Sequence, residues 1–505
     1  MNRSSAFAAA QSNDVTNDVI GTLQCDEDAR RRGTAAGEKT RSNESGIGGL
    51  SRCQRFLTVC FLGVAVATCP LNMAQLGPFF SHAALAKNPA PDALYHTAIG
   101  AVFSMNQIGC IAFGPFIMHD LPNIGSKQAL VLGVAVQGAC SFLFSVLDRI
   151  SSWRVFLAYA YAIRFLQGMA FTTTTISAQS YLTQIYPTNL GFVNALMMIS
   201  LSLGHAVATV LAGGLYDVGG FMLPFIVTGA IAWCVTVALV LFIVDVDALT
   251  TRQNGGARER HTGVLAALRI PWIWFILLIF VASNLAYSSS EALLATQMRN
   301  VFGVRSVTVG AALALQVLAN IVSSPIVGKL IDNGCSCYLL VFVGMLLNVL
   351  GCLLVGPSSF LHIPASLPLI FVAMVPWGVA HVVMAVSAVV AASQHLRLVG
   401  AGSAVETRLA VAGLARLFLS VGYGIGPLAM SPLVAVLDFQ AAFTILACVY
   451  LVLAGLLVLL KWLDLIVRKL RSRCKRDGGD DKQCDDLDHS TPLPSEATEL
   501  QPLKH

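Results

Sequence analysis

Charge is scarce in this chain, and the scarcity excludes a soluble fold. Charged residues make up 12% of the 505 residues, about half the fraction that soluble domains carry. Hydrophobic residues account for 56%, and the mean hydropathy is +0.71. This composition predicts an all-α protein that crosses a membrane many times.

Catalytic and ligating motifs are also missing. The sequence has no His-Glu-x-x-His, no Gly-x-Ser-x-Gly and no phosphate-binding glycine-rich loop ending in Lys-Ser or Lys-Thr. We therefore expect neither an enzyme nor a bound cofactor or metal. None of the thirteen cysteines falls in a predicted external loop, which excludes a disulfide framework. The first 50 residues contain no apolar core of a signal peptide.

Twelve long apolar runs are what the chain does contain. A helical span of the hydrocarbon core needs roughly 20 such residues. The predicted spans are 56–80, 94–118, 127–147, 154–181, 190–214, 221–244, 271–296, 306–330, 338–356, 366–393, 409–431 and 439–462.

The basic residues predict how these spans are oriented. Of the 32 Lys and Arg residues, five fall in predicted external loops, two lie within spans, and the others share the opposite side with the tails. Because cytoplasmic loops retain Lys and Arg, both termini are predicted to be cytoplasmic. The net charge of +5 then reflects topology and contact with anionic membrane lipid, and it does not indicate a nucleic-acid partner.

The chain is also composed of two similar halves. GPFIMHDLPNIGSKQALVLG (114–133) and SPIVGKLIDNGCSCYLLVFVG (324–344) share a small residue before Pro, a tight turn and a new span. GGLYDVGGFMLPF (213–225) aligns without gaps with SPLVAVLDFQAAF (431–443). A duplicated six-span unit is the organisation of major facilitator transporters. The predicted segments are disordered cytoplasmic tails at 1–54 and 464–505, six-helix halves at 55–245 and 271–463, and a cytoplasmic central loop at 246–270.

Short motifs carry a more specific resemblance. The turn after the second span keeps Gly125 and Lys127 of the superfamily's loop motif, and the second half keeps Gly328 and Asp332. In the fourth span, Arg164, Gln167 and Gly168 form the Arg-x-x-Gln-Gly motif of drug and amine proton antiporters.

Over nearly all of residues 56–462 the chain resembles the vesicular amine transporter family, and most of all its polyamine branch. Stretches such as SVLDRISSWRVFLAYAYAIRFLQG and YPTNLGFVNALMMISLSLG carry this similarity. The resemblance implies a monomeric secondary transporter that exchanges a small organic cation or polyamine for protons by alternating access. It also implies a vesicle, another endomembrane or the plasma membrane as its location.

One motif of that family is altered. In the fifth span Gly213 and Gly214 are present, but Thr209 and Val210 stand where the family has Gly-Pro. A Gly-Pro occurs instead in the eleventh span, at Gly426 and Pro427. The resemblance implies that these glycines and this proline serve conformational change, and it associates the altered motif with proton-coupled antiport.

Arg164 is a permanent cation within a predicted span. A charge there costs about 2.5–3.5 kcal/mol on insertion scales, so its side chain should face the protein interior or a water-filled cavity. At helical spacing Arg164, Gly168, Thr172, Thr175 and Gln179 share one face. By family analogy this polar stripe lines the substrate cavity. The alternative is a structural arginine bound to backbone carbonyls.

Glu291 is the only carboxylate within a predicted span, and Tyr287 lies one turn before it. A buried carboxylate holds either a proton or a cation, which is the exchange that a proton antiporter needs. The resemblance also places an acidic residue here. The alternative is a carboxylate near the outer end of its helix, solvated among the lipid headgroups.

Several other polar residues within spans have two interpretations each. They either bind substrate and protons or stabilise helix packing, and for Arg416 the choice is between neutralising Glu291 and binding an anion. A site rich in cations would favour a carrier of organic anions or zwitterions, and degenerate motifs would favour a transporter-like receptor without flux. The residues are Asn72, Gln75, His205, Trp377, His381 and Arg416.

Overall fold

The computed structural model describes residues 52–88, 93–186, 190–243, 271–356, 366–398 and 404–476, and every element in these ranges is helical. A single 3₁₀ turn, Val146–Arg149, accompanies the α-helices. The α-helices are α1 (Arg52–Ala74), α2 (Phe80–Leu85), α3 (Ala93–Ile124), α4 (Ser126–Ser145), α5 (Trp153–Ile185), α6 (Leu190–Gly219), α7 (Met222–Phe242), α8 (Pro271–Phe302), α9 (Ser306–Asp332), α10 (Cys337–Val355), α11 (Leu367–Leu398) and α12 (Ala404–Arg476).

The predicted twelve spans are confirmed, with α12 supplying the last two. Eleven helices in the described residues are long and apolar enough to cross a membrane. The apolar part of α12, Leu417–Leu463, has 47 residues, which at 1.5 Å per residue is roughly 70 Å, about twice a hydrocarbon core. Its backbone leaves the helical conformation at Asp438, with φ 71° and ψ 161°. The chain therefore turns back at Asp438.

The helices pack into two halves. Helices α1 and α3–α7 contact one another in the N-terminal half, and α8–α12 do so in the C-terminal half. Small residues let the backbones approach, as is usual between membrane helices. A Cβ on Gly168 of α5 would lie 1.9 Å from the Asn106 carbonyl oxygen of α3, and a Cβ on Gly351 of α10 would lie 2.4 Å from the Trp377 ring of α11.

Most of the contact between the two halves is made by two helix pairs, α6 with α9 and α3 with α12. A Cβ on Gly310 of α9 would lie 2.1 Å from the Thr209 carbonyl oxygen of α6, and one on Gly213 would lie 2.5 Å from the Ser306 carbonyl oxygen. Between α3 and α12, the Ser104 hydroxyl donates to the Gly424 carbonyl at 2.5 Å. The end of the bundle at which α6 ends and α9 begins is called the outer end below, because the topology prediction places it away from the cytoplasm.

Residues of the predicted loop motifs lie at the opposite end. Gly125 has a φ of 88° in the turn between α3 and α4, a conformation that favours glycine. Lys127 is half-buried in the first turn of α4. A Cβ on Gly328 would meet nothing within 4 Å, and Asp332 is exposed at the end of α9.

The predicted tails and central loop lie largely outside the described residues. The parts of the predicted tails that the structure describes are helical. Helix α1 begins at Arg52, and α12 continues to Arg476.

Candidate functional site

Glu291 lies at the centre of the contact between the halves. It is on α8 and only 3% exposed. Its carboxylate oxygen Oε2 accepts a hydrogen bond from the Tyr423 hydroxyl of α12 at 2.7 Å. Its other oxygen, Oε1, is 2.5 Å from Nε2 of His205, which belongs to α6 in the opposite half. The burial places Glu291 in the protein interior, away from lipid headgroups.

The contact with His205 is an ion-pair contact. Glu291 Oε1 has no hydrogen-bond donor in good alignment among the described residues, although His205 Nε2 is within ion-pair distance. When the side-chain atoms alone are counted, His205 is 11% exposed and Glu291 is 5% exposed, so both are almost fully shielded. A buried carboxylate is stable only when it is paired or protonated. One proton is therefore needed here, either on His205 as the counter-charge or on Glu291 itself.

A wall of aromatic and imidazole rings adjoins this pair. The Tyr287 ring centroid lies 4.8 Å from that of His381, 5.8 Å from that of His205 and 6.0 Å from that of Tyr423. His381 in turn contacts Asn320 through Nδ1 at 2.8 Å and Asn284 through Nε2 at 3.2 Å. The wall thus joins α6, α8, α9, α11 and α12, and its flat faces are suited to an organic cation.

Arg164 is 1% exposed, so the predicted interior orientation is observed. Its guanidinium donates to the Gln167 side chain at 3.0 Å and to the backbone carbonyls of Met73 and Val102, both at 3.4 Å. These are the contacts of a structural arginine that ties α5 to α1 and α3. Among the described residues, Arg164 forms no ion pair with Glu291. Its role in transport stays a prediction.

The polar stripe predicted beyond Arg164 is only partly assembled. Thr172 and Thr175 are buried, and their hydroxyls donate to the backbone carbonyls of Cys110 and Phe171, at 3.3 and 3.0 Å. Gln179 is exposed. Thr172 therefore joins α5 to α3, and Thr175 bonds within α5.

Asn72 and Gln75 connect helices in the N-terminal half. The Ser141 hydroxyl of α4 donates to Asn72, and the Thr228 hydroxyl of α7 donates to Gln75 at 2.8 Å. Gln75 also donates to Ser141 at 3.5 Å. Of the two interpretations of these residues, the observed contacts are those of the helix-packing role.

Trp377 is a further candidate in the C-terminal half. Trp377 is 1% exposed and packs on Phe443, with ring centroids 5.6 Å apart, as well as on Gly351. This is a packing position between α10, α11 and α12. Arg416 is on α12, but its side chain lies outside the described part of the chain. The Gly426–Pro427 pair lies where α12 crosses α8, because a Cβ on Gly426 would be 2.1 Å from the Ser288 hydroxyl.

A charged network closes the outer end between the halves. Asp217, near the end of α6, accepts from the backbone amides of Ser306 and Val307 at 3.0 and 2.8 Å, and so caps the start of α9. Arg299 of α8 lies 3.6 Å from Asp217. Gly213 permits this approach, because a Cβ there would lie 2.5 Å from the Ser306 carbonyl oxygen. A Cβ on Gly214 would lie 3.9 Å from the Val307 side chain.

Arg299 extends the network to α2. Its Nη1 lies 3.2 Å from Nδ1 of His82, and its guanidinium is 5.3 Å from the Tyr216 ring centroid. Burial and the Arg299 charge both lower the pKa of His82. The network therefore holds His82 in its neutral form, with Nδ1 as the acceptor.

The sequence did not predict these pairings. His205 and Glu291 are far apart along the chain, so helical periodicity has no means of connecting them. Tyr423, Asn320 and Asp217 were missed entirely. Two signals were available. Tyr423 is a hydroxyl-bearing ring in the glycine-rich run GYGIG, and Asn320 is a polar amide in the middle of an apolar helix.

The fold and this arrangement define a class of protein. Two six-helix halves enclose a buried ionisable pair with one partner from each half, as in a membrane transporter. Among the described residues no group of His, Cys, Asp or Glu could hold a metal ion.

The model of the Major Facilitator Superfamily matches residues 54–406. The chain belongs to this superfamily, so it is a multi-pass membrane transporter and not an enzyme. Among curated proteins it is similar to "MFS-type transporter SLC18B1" from Homo sapiens, with 27% identity over 66% of this chain and 70% of that protein. The rat protein of the same name is 26% identical over 65% of this chain and 70% of its own length.

Solved structures share the fold. A bacterial homologue of the human lysosomal transporter Spinster, in an inward-facing and occupied conformation, matches with a TM-score of 0.64 and 13% identity, over 81% of this chain and 97% of that one. The nucleoside transporter NupG matches with a TM-score of 0.58 and 13% identity, over 79% of this chain and 98% of that one.

Proposed function

We propose that this transporter exchanges a small organic cation for protons by alternating access. The contact of buried Glu291 with His205 of the other half carries the proposal. A substrate ammonium that reaches Glu291 takes the place of the protonated imidazole. His205 is then left as a buried cation without its partner, and it releases its proton because an unpaired buried charge is costly.

The same pair gives a physical reason for alternation. Glu291 belongs to the C-terminal half and His205 to the N-terminal half, so their ion pair favours the conformation in which the halves meet here. When the substrate binds, Glu291 is attracted to the ligand and no longer to His205, so this attraction between the halves is lost. A ligand shifts such an equilibrium only through its different affinity for the two conformations, and this loss supplies the difference.

The substrate class is drawn from the sequence and the ring wall together. Tyr287, Tyr423 and His381 provide faces for a cationic ligand. The resemblance of residues 56–462 to polyamine carriers makes polyamines the first class to test. Arg164 uses three of its five donors on Gln167 and two carbonyls, which favours a cation over an anion as the ligand of this centre.

We further propose that the protein acts as a monomer in a vesicle, another endomembrane or the plasma membrane, with both termini and residues 246–270 on the cytoplasmic side. The distribution of Lys and Arg supports this topology. A tag inserted in the central loop should be labelled only after the membrane of intact cells is permeabilised. Labelling of unpermeabilised cells would overturn the topology.

Uptake into proteoliposomes tests the function. Labelled spermidine, a monoamine and an organic anion are offered with and without an imposed proton gradient. Cation uptake that rises at least tenfold with the gradient is expected. Gradient-independent uptake of the anion would instead identify an anion or zwitterion carrier, and no flux of any solute would identify a receptor-like protein.

A further inference from the structure

A cavity lies between the halves at the outer end, beside the Glu291 site. Its volume is about 240 Å³, room for several waters at roughly 30 Å³ each or for one small organic molecule. Helices α2 and α3 of the N-terminal half and α8 and α12 of the C-terminal half form its walls. Ala292 and Leu293 line it, so the cavity begins directly beyond Glu291 on α8.

A thin backbone layer separates the two sites. The Ser81 hydroxyl of α2 donates to the Ala292 carbonyl at 2.5 Å and joins the halves there. A Cβ on Gly77 would lie 3.5 Å from the Glu291 carbonyl oxygen, so the turn after α1 covers the same stretch of α8. Movement of the halves apart at this end would connect the cavity with Glu291.

Both apolar and polar side chains line the cavity. Ile99, Leu293 and Val434 supply apolar surface. The side chains that can bind a polar ligand come from both halves, and this mixture of a few polar groups on an apolar surface is typical of small-molecule sites. They are Ser81, His96, Thr296, Gln297, Asn300 and Asp438.

Asp438 is the acidic member of this lining, and its backbone is unusual. Its φ of 71° and ψ of 161° fall in a region that is essentially restricted to glycine. Within the described part of the chain, Asp438 has no ion-pair partner. The sequence thus has a carboxylate where the backbone conformation favours glycine, and strained residues of this kind are found mainly at functional sites.

We propose that this cavity is an outer cation subsite, in which Asp438 is the counter-charge for an ammonium group and the side-chain oxygens of Gln297 and Asn300 accept its hydrogen bonds. The inference rests on the proposed cation exchange, because it places a second binding site for the same substrate class between Glu291 and the outer compartment. Both halves contribute, so the subsite is complete only while the outer end is closed.

Equilibrium binding to the purified full-length chain tests the subsite independently of flux. The probes are radiolabelled spermidine and radiolabelled phenethylamine. Glu291→Gln should remove the tighter binding component and leave a weaker one. Adding Asp438→Asn should then lower the remaining affinity at least tenfold, while Asp148→Asn, an exposed acid at the same end, should not change it.

A second variant separates the charge from the backbone. Asp438→Gly relaxes the backbone and removes the carboxylate, so it should lose the weaker component as Asp438→Asn does while melting at the same or a higher temperature. The subsite is wrong if the weaker component survives both variants, whatever Glu291→Gln does. If instead the Asp438 variants remove it but Glu291→Gln has no effect, the subsite stands and the coupling role of Glu291 fails. A wild-type chain that binds neither amine would overturn both.

Discussion

The Glu291 oxygen Oε1 and the His205 nitrogen Nε2 lie 2.5 Å apart, although the two residues belong to opposite halves of the molecule. Their contact places a titratable ion pair at the interface that an alternating-access transporter must open and close. Tyr423 holds the second carboxylate oxygen at 2.7 Å and fixes the orientation of Glu291.

His205→Gln should separate proton coupling from substrate binding. The amide keeps a hydrogen-bonding side chain but carries no proton to exchange. We expect gradient-driven uptake to fall at least tenfold, while exchange of labelled for unlabelled substrate across the membrane persists. The matched control is His119→Gln, because His119 is exposed and, within the described ranges, pairs only with its neighbour Asp120. Unchanged gradient-driven uptake by His205→Gln would remove His205 from the mechanism.

The sequence allowed the helices to be predicted far better than the site. Apolar runs are properties of single segments, so the twelve spans followed from them. Glu291 stood out for the same reason, as an acid within an apolar run. Its partnership with His205 depends on how α6 and α8 pack, and the charged closure by Asp217 and Arg299 depends on how two helix ends meet.

Burial was predictable for Arg164, but its partners were not. An inserted cation had to face inward, yet nothing in the sequence distinguished a cavity wall from the carbonyls of Met73 and Val102. The polar amides Asn72 and Gln75 presented the same ambiguity, because a helix-packing role and a ligand role require the same residue types.

Arg164→Ala tests whether this arginine has a role beyond packing. Hydrogen bonds to charged groups contribute about 1.5–3 kcal/mol each, so we expect a lower melting temperature. We also expect transport, measured per folded molecule at the membrane, to fall at least a hundredfold. Arg164→Lys should recover little, because an ammonium lacks the planar arrangement of donors. Normal transport by the folded alanine variant would leave Arg164 with a structural role alone.

The outer closure should weaken in acid through His82. Burial and the Arg299 charge lower the pKa of His82 in the closed state, so that state binds fewer protons than the open one. Stability of closure is therefore complete above the ordinary histidine pKa near 6.5 and is lost as the pH falls below it. The measurement is maleimide labelling of Leu293→Cys, whose position lines the outer cavity.

Labelling at that position should become faster between about pH 7 and pH 5. The companion variant His82→Gln should make the rate independent of pH over this range once the maleimide chemistry is corrected with a free thiol. A pH dependence that persists in His82→Gln would assign the effect to another group.

Gly168→Ala should separate α3 from α5. The added methyl would lie 1.9 Å from the Asn106 carbonyl oxygen, which cannot move without the helix. Overpacking of this kind costs about 1–3 kcal/mol, so the melting temperature should fall measurably. Gly455→Ala is the matched control, because a Cβ there meets nothing within 4 Å. Equal melting temperatures for the two variants would contradict the close packing of α3 and α5.

The central claim is that ionised Glu291 exchanges protonated His205 for the substrate cation, and Glu291→Gln tests it most directly. The amide keeps the shape and hydrogen bonding of the protonated acid but is never ionised. In proteoliposomes this variant should lose proton-driven uptake and cation binding at the tighter site together, and Glu291→Asp should keep part of both. Normal uptake by Glu291→Gln with an unchanged dependence on pH would contradict the account.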